Sequence, residues 1–136
     1  MKKIIMITVP TILVIVLICI VGIFLSKRVT DFSFAESGTA VFQYADNNIY
    51  ESLSAEEIRL LQNIFSGKIM YRDSPACGFS EKIAIVFNGS QTLCFACDGC
   101  PIVYWKEQDM YFKLTEENQR SIMDILQKYG FYFPCV

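Results

Sequence analysis

Three cysteines follow one another at three-residue spacing in the segment Cys94-Phe-Ala-Cys97-Asp-Gly-Cys100, which Pro101 follows. Thiols at such spacing serve three kinds of chemistry: disulfide cross-linking, metal coordination as thiolates, and thiol–disulfide exchange. Cys77 and Cys135 lie on either side of this segment, and Cys19 lies far upstream. Which chemistry applies depends on the redox compartment and on the elements that hold the thiols.

The rest of the composition removes several common kinds of chemistry. The chain has no histidine, which excludes imidazole general bases, histidine-containing dyads and triads, and histidine metal ligands. From Val29 onward it carries 8 Lys/Arg against 14 Asp/Glu, and a domain of negative net charge is repelled by phosphate backbones. We therefore expect no nucleic-acid partner and no enzymatic activity, thiol–disulfide oxidoreductase being the enzyme class that these residues come nearest to.

The N-terminus carries an apolar run from Ile4 to Leu25. Its 22 residues would span roughly 33 Å as a helix, slightly more than a hydrocarbon core of about 30 Å. The run is longer than the apolar core of a secretory signal peptide and does not end in an A-x-A cleavage pattern. We predict an uncleaved signal anchor, with residues 1–28 as a transmembrane segment and residues 29–136 as one domain.

The orientation of this anchor depends on the positive charges that flank it. Lys2 and Lys3 precede the run and Lys27 and Arg28 follow it, so charge alone gives little bias. The very short N-terminal tail and the cysteines downstream favour an N-terminus inside the cell and residues 29–136 outside. An oxidising exterior lets thiols form cross-links, whereas a reducing cytosol would make the same thiols metal ligands or redox groups.

The downstream domain has the pattern of an α+β fold. Ser54 and Glu57 form a capping box that predicts a helix over 55–66, and Thr115 opens a second helix that Gly130 ends. Strands are predicted over 39–45, 68–72, 83–87, 92–96, 102–105, 110–114 and 131–133. Hairpin loops are predicted at 88–91 and 106–109 and a turn at 46–48. Residues 30–38 read as a polar connector. We expect an antiparallel-rich sheet with the two helices packed on one face, in which the four strands between 83 and 114 form a meander.

Hairpin geometry limits how the thiols can pair. A two-residue loop at Asn88-Gly89 would place Cys77 opposite Cys100 if the ladder extends that far. The first predicted disulfide is therefore Cys77–Cys100, and the second is Cys97–Cys135, which would tie the end of the chain to the central turn. Cys94 and Cys19 would then remain as free thiols, buried in the sheet and in the membrane helix respectively.

Two alternatives to disulfide bracing stay open. Cys77, Cys94, Cys97 and Cys100 supply four thiolates that could bind zinc or an iron–sulfur cluster. Cys97-Asp-Gly-Cys100 also has the CxxC spacing of redox motifs, although the strand predicted over 102–105 leaves no helix N-terminus to lower a thiol pKa.

The turn formed by Asp98, Gly99 and Pro101, rimmed by Tyr104 and Trp105, could serve as a recognition loop. Together these patterns predict a single-pass membrane protein that displays a small disulfide-braced domain and binds a protein, peptide or envelope component without a cofactor. The alternative is a cysteine-based metal or redox module that would hold zinc or an iron–sulfur cluster.

Overall fold

A computed structural model describes residues 2–26 and 29–135 and shows a small α+β domain with an antiparallel sheet and three helices. The helices are α1 (Lys2–Ser26), α2 (Ala55–Phe65) and α3 (Glu116–Lys128). The strands are β1 (Gly38–Tyr44), β2 (Asn47–Ser52), β3 (Met70–Tyr71), β4 (Phe79–Phe87), β5 (Gln91–Ala96), β6 (Ile102–Trp105) and β7 (Met110–Lys113).

The apolar run that the sequence assigns to a membrane lies within α1. The side chains of this helix are described from Thr11 to Phe24, and no helix of the described residues is long and apolar enough to cross a bilayer. Lys27 and Arg28, which entered the prediction of orientation, lie outside the described residues.

All seven strands join one sheet in the order β2-β1-β4-β5-β6-β7-β3, and every pair is antiparallel. The predicted meander is confirmed as β4 to β7, with hairpins at the predicted positions. Asn88 and Gly89 both have positive φ in the β4–β5 loop. The sequence missed β2 because its residues are almost all exposed and show no apolar alternation.

The hydrophobic core lies between one face of the sheet and helices α2 and α3. Its helical members are Ile58, Leu61, Ile64 and Phe65 of α2 and Ile122, Ile125 and Leu126 of α3. The capping box predicted for α2 is present: Ser54 Oγ accepts the N–H of Glu57, and the Glu57 carboxylate accepts the N–H of Ser54 at 2.8 Å. Glu57 also accepts a hydrogen bond from Lys128 Nζ at 2.8 Å, which joins the two helices.

Residues 30–38 are not the polar connector that their composition predicts. Phe32 is completely buried at the centre of the core, with its ring centroid 4.5 Å from that of Trp105 and 5.7 Å from that of Phe65. Thr30 is buried as well, and its backbone N–H donates to the Lys68 carbonyl at 2.8 Å. The globular fold therefore includes this segment.

The predicted last strand over 131–133 is also wrong. Gly130, with a φ of 89°, ends α3, and the residues after it have no regular secondary structure. Phe131 inserts its side chain into the core. The rings of Phe131 and Tyr132 both lie 5.0 Å from that of Phe42 on β1. Further along, Cys135 donates its N–H to the carbonyl of Cys97, just after β5, at 3.1 Å.

Candidate functional site

A disulfide joins Cys97, just after β5, to Cys135 near the C-terminus. The two Cα atoms are 5.3 Å apart and 38 residues separate them in the sequence. Cys97 also donates its N–H to the Gly78 carbonyl at 3.3 Å, so one residue connects the C-terminus, the β5 end and the segment before β4. This pair is the second of the two bridges that the sequence predicts.

Cys77 and Cys100, the first predicted bridge, are neighbours in the structure but are not bonded to each other. Their sulfur atoms and a carboxylate oxygen of Asp98 all lie within 4.8 Å of one another. Asp98 Oδ1 accepts the backbone N–H of Cys100 at 3.1 Å, which closes the turn between them. A hydrogen bond with the Cys100 thiol raises the pKa of Cys77 to about 11.

The two thiols come together by a different route from the predicted one. The β4–β5 loop has three residues, because Phe87 faces Gln91, and the register shifts between Ser80 and Ala84. The ladder ends where Phe79 faces Ala96, so Cys77 and Cys100 are not cross-strand partners. The tight turn after Cys97, in which Gly99 has a φ of 69°, brings Cys100 back to Cys77.

Cys94 lies in the sheet and is 1% exposed. It faces Ala84 on β4 and Tyr104 on β6. Burial raises the pKa of this thiol to about 12, and the carboxylates of Glu81 and Glu107 add to the effect. A buried thiol with a raised pKa is chemically inert.

The four-thiolate site is not assembled. Cys94 is in the sheet, and Cys97 is bonded to Cys135, so only Cys77 and Cys100 of that set come together. Among the described residues, the group that could hold a metal ion is instead Cys77, Asp98 and Cys100. Cys19 lies in α1.

The residues of the predicted recognition loop do not share one surface. Trp105 is 6% exposed and belongs to the core, where its Nε1 donates to Gln91 Oε1 at 3.0 Å. Tyr104, the adjacent residue, points to the opposite face, and its hydroxyl donates to Asp109 Oδ1 at 3.1 Å. The Gly99 and Pro101 carbonyls accept hydrogen bonds from Gln119 and Leu114, so much of this loop is held by the fold.

An aromatic cluster that no sequence pattern indicates lies on the sheet face away from the helices. Tyr104 faces Tyr111, and Tyr111 faces Tyr71 on the next strand. The ring centroids of Tyr104 and Tyr111 are 4.8 Å apart, and the ring of Phe79 lies 5.3 Å from that of Tyr111. The residues next to these tyrosines on the same strands are also apolar and lie in or against the core. Only the strand register therefore shows which aromatic residues form this row.

A cleft of about 730 Å³ opens beside the disulfide. One wall is the tip of the β1–β2 hairpin, residues 43–48, and the other is the beginning of β4. Cys97 and Cys135 line it as well. Its volume lies within the range of ordinary ligand sites. No sequence motif marks it, since its walls come from segments distant along the chain.

Comparison of the chain with protein-family models, curated proteins and solved structures finds no match. Two features of the described residues offer binding chemistry: the cleft beside the disulfide and the Cys77-Asp98-Cys100 cluster.

Proposed function

We propose that this chain is a single-pass membrane protein that displays residues 29–136 outside the cell as a disulfide-braced binding domain. The uncharged apolar run from Ile4 to Leu25 supports the anchor. The Cys97–Cys135 disulfide supports an oxidising location, because disulfides persist there and are rare in the cytosol. The ligand is a protein or peptide segment, or a component of the cell envelope.

The observation that carries the binding function is the cleft beside the disulfide. Its lining combines apolar groups, such as Tyr44 and Ile83, with polar groups, such as Asn48 and Ser80. Such a mixture allows apolar contact to give affinity while a few polar groups fix the orientation of the ligand. The disulfide holds one side of the cleft, so the site is kept in shape before a ligand arrives.

A second bridge between Cys77 and Cys100 forms part of this proposal. The two sulfur atoms already lie within 4.8 Å of each other, and neighbouring accessible thiols become linked in an oxidising compartment. The bridge would fix the segment that precedes Gly78, which lines the cleft. Two cross-links would then hold the side of the cleft that Gly78, Cys97 and Cys135 form.

The location is tested on intact cells with a membrane-impermeant maleimide. Glu51 is exposed on β2, so a Glu51→Cys variant provides a reporter thiol away from the native cysteines. We expect this variant to gain one label relative to the parent chain on intact cells. Gaining that label only after lysis would place the domain inside and overturn the proposal.

The binding function is tested with the full chain in detergent micelles. The immobilised protein is used to select from a phage-displayed library of random heptapeptides and is also probed with an array of envelope polysaccharides. Saturable binding of selected peptides or of a polysaccharide supports the proposal. Failure of both probe sets to bind would contradict it.

The Cys77-Asp98-Cys100 cluster supports a second candidate function, a metal site. Two thiolates and a carboxylate can hold zinc with a water molecule as the fourth ligand. A redox role has less support, because redox cysteines have lowered pKa values, whereas the neighbouring Cys100 thiol raises the pKa of Cys77.

Non-reducing mass spectrometry with metal analysis separates these functions. The chain has 6 cysteines, so two bridges leave two thiols that can be alkylated after denaturation. Two alkylatable thiols and no bound metal support the disulfide-braced binding domain. Four alkylatable thiols with stoichiometric zinc would support the metal site instead.

A further inference from the structure

We infer that an exposed apolar pair, Val29 and Ile69, contacts the lipid surface where the anchor leaves the bilayer, so that the sheet stands on its β3 edge. The inference rests on the proposed membrane anchor and adds how the domain is oriented on the bilayer. It holds for either side of the membrane.

The connection between the anchor and the domain is very short. Helix α1 ends at Ser26, and Val29 already pairs with Ile69 in an antiparallel bridge. Thr30, the next residue, is 2% exposed and donates its N–H to the Lys68 carbonyl at 2.8 Å. The chain that leaves the anchor therefore enters the fold directly beside β3, without a long linker.

The length of this connection keeps Val29 close to the bilayer. The apolar run ends at Leu25, and four further residues of fully extended chain reach at most about 14 Å. The polar headgroup layer on each side of the hydrocarbon core is roughly 5–8 Å thick. Val29 is therefore held in this layer or a few ångströms above it, and Ile69 is held with it.

The two side chains form one apolar patch. Residues directly opposite each other in an antiparallel pair point their side chains to the same face, with Cβ atoms about 4.5–5.5 Å apart. Val29 is 44% exposed and Ile69 is 74% exposed, which makes Ile69 the most exposed of the large hydrophobic side chains that the structure describes. Insertion of this patch among the lipid headgroups removes its apolar surface from water.

The charges around the patch match a lipid surface. The segments 27–31 and 68–73 carry four basic and two acidic side chains, although the domain as a whole is acidic. Lys68 and Arg72 flank the patch, and among the described residues neither forms an ion pair. Long basic side chains at an interface lay their apolar stems against lipid and extend their charge to the phosphates.

This contact decides which end of the sheet faces away from the membrane. β3 and β2 are the two outer strands of the seven-stranded sheet. Six steps of about 4.8 Å separate them, roughly 29 Å along the sheet. The β1–β2 hairpin, whose tip lines the cleft, then stands at the edge remote from the bilayer, where a ligand can reach it.

The first test measures tryptophan quenching in the full chain, reconstituted into vesicles of phosphatidylcholine and phosphatidylglycerol brominated on the upper part of their acyl chains. Ile69→Trp places a reporter in the patch. Tyr50→Trp, at a position 56% exposed on β2, is the matched control at the opposite edge. The parent chain, whose one tryptophan is Trp105, gives the baseline.

We expect the fluorescence added at position 69 to fall at least about twofold relative to unbrominated vesicles, because the side chain contacts the headgroup and upper acyl region. The fluorescence added at position 50 should not change. Equal quenching at the two positions would overturn the inference.

The second test leaves the sequence unchanged, since tryptophan itself favours membrane interfaces. A phospholipid that carries a photoreactive diazirine near its glycerol group labels the residues in contact with lipid, and mass spectrometry maps the adducts. Trypsin releases residues 29–59 as one peptide, which contains both Val29 and Tyr50. We expect adducts on Val29 and Ile69 and none on Tyr50; equal labelling of Val29 and Tyr50 would contradict the lipid contact.

A third variant separates this inference from the proposed anchor. Val16→Trp places a reporter within the apolar run. Quenching at position 16 without quenching at position 69 would overturn the lipid contact of the domain while the anchor stands, whereas quenching at neither position would overturn both. Circular dichroism establishes that each variant is folded. Should Ile69→Trp unfold the chain, photolabelling of the parent decides the question.

Discussion

The sulfur atoms of Cys77 and Cys100 lie within 4.8 Å of each other and of an Asp98 carboxylate oxygen, although neither cysteine belongs to a strand. Cys77 precedes Gly78, and Cys100 follows the turn that Cys97 begins. The thiol pair therefore lies next to two residues that line the cleft, Gly78 and Cys97. Whether these sulfurs are linked affects both the stability of the domain and the rigidity of the proposed site.

Cys100→Ser should destabilise the protein as isolated from an oxidising compartment. Removing a bridge that closes a loop of this length costs about 3 kcal/mol in the free energy of unfolding. Urea unfolding without reductant measures the loss, and Cys77→Ser should match it. Variants that unfold at the same urea concentration as the parent would contradict the second bridge.

Cys135→Ser should destabilise the domain more strongly. The Cys97–Cys135 disulfide spans 38 residues, and opening a loop of that length costs about 4 kcal/mol. Dithiothreitol should shift the urea midpoint of the parent chain in the same direction. Dithiothreitol would also reduce a Cys77–Cys100 bridge, so the Cys135→Ser variant is compared with and without this reductant. If the reductant lowers the urea midpoint of the variant further, the second bridge is present.

Glu57→Gln should destabilise the domain at neutral pH. Burial raises the pKa of Glu57, but hydrogen bonds from Lys128, the Ser54 backbone, Tyr129 and the Ser54 hydroxyl outweigh it and lower the pKa to about 2. The Glu57 side chain is 12% exposed but that of Lys128 is 61% exposed, so solvent screening reduces the expected cost to about 1–2 kcal/mol.

The sign of the pH dependence follows from this lowered pKa. A carboxylate with a depressed pKa contributes its full stability above its unfolded-state value of 4.5 and loses it as the pH falls toward about 2. The free energies of unfolding of the parent and Glu57→Gln should therefore converge across that window. Glu56→Gln, at an exposed position on the same helical turn, is the control; a parallel pH profile for Glu57→Gln and the parent would refute the effect.

Phe32→Ala should cost about 3–5 kcal/mol, because it removes a fully buried ring and leaves a cavity. Phe34→Ala should cost much less, since Phe34 is 39% exposed whereas Phe32 is 0% exposed. Urea unfolding followed by circular dichroism avoids the direct effect of Phe32 on Trp105 fluorescence. Similar losses for both variants would mean that residues 30–38 are not part of the core.

Cys94 should resist alkylation in the native protein and react fully in denaturant. It is 1% exposed, and burial raises its pKa to about 12, so at pH 8 the reactive thiolate is scarce. Peptide mapping after N-ethylmaleimide treatment, with and without urea, measures the extent of Cys94 alkylation in each state. Rapid native labelling of Cys94 would show that this part of the sheet opens readily.

Local sequence signals were sufficient for the elements whose residues specify them directly. The capping box at Ser54 and Glu57 and the apolar spacing of α2 predicted that helix closely, and the turn residues Asn88 and Gly89 predicted the β4–β5 hairpin. These features depend on neighbours a few residues apart, so they can be recognised without knowledge of the fold. The second helix and the meander were predictable for the same reason.

Other features depended on contacts between distant segments. Phe32 lies in a stretch of polar composition, and only the tertiary packing makes it the centre of the core. The β4 register shift between Ser80 and Ala84 moved Cys77 away from its predicted cross-strand position. No local pattern announced the cleft either, because its lining residues come from segments that are distant along the chain.

The sequence by itself determined that the chain has an apolar N-terminal run, an acidic cysteine-containing domain of α+β type, and no histidine-dependent chemistry. The tertiary structure decided which thiols meet, that Trp105 is buried while Tyr104 faces the other side of the sheet, and that Gln43 and Phe79 border a shared cleft. The physical reason is the range of the interactions: helix caps and turns form between near neighbours, whereas disulfide geometry, strand register and cavities depend on how remote segments pack.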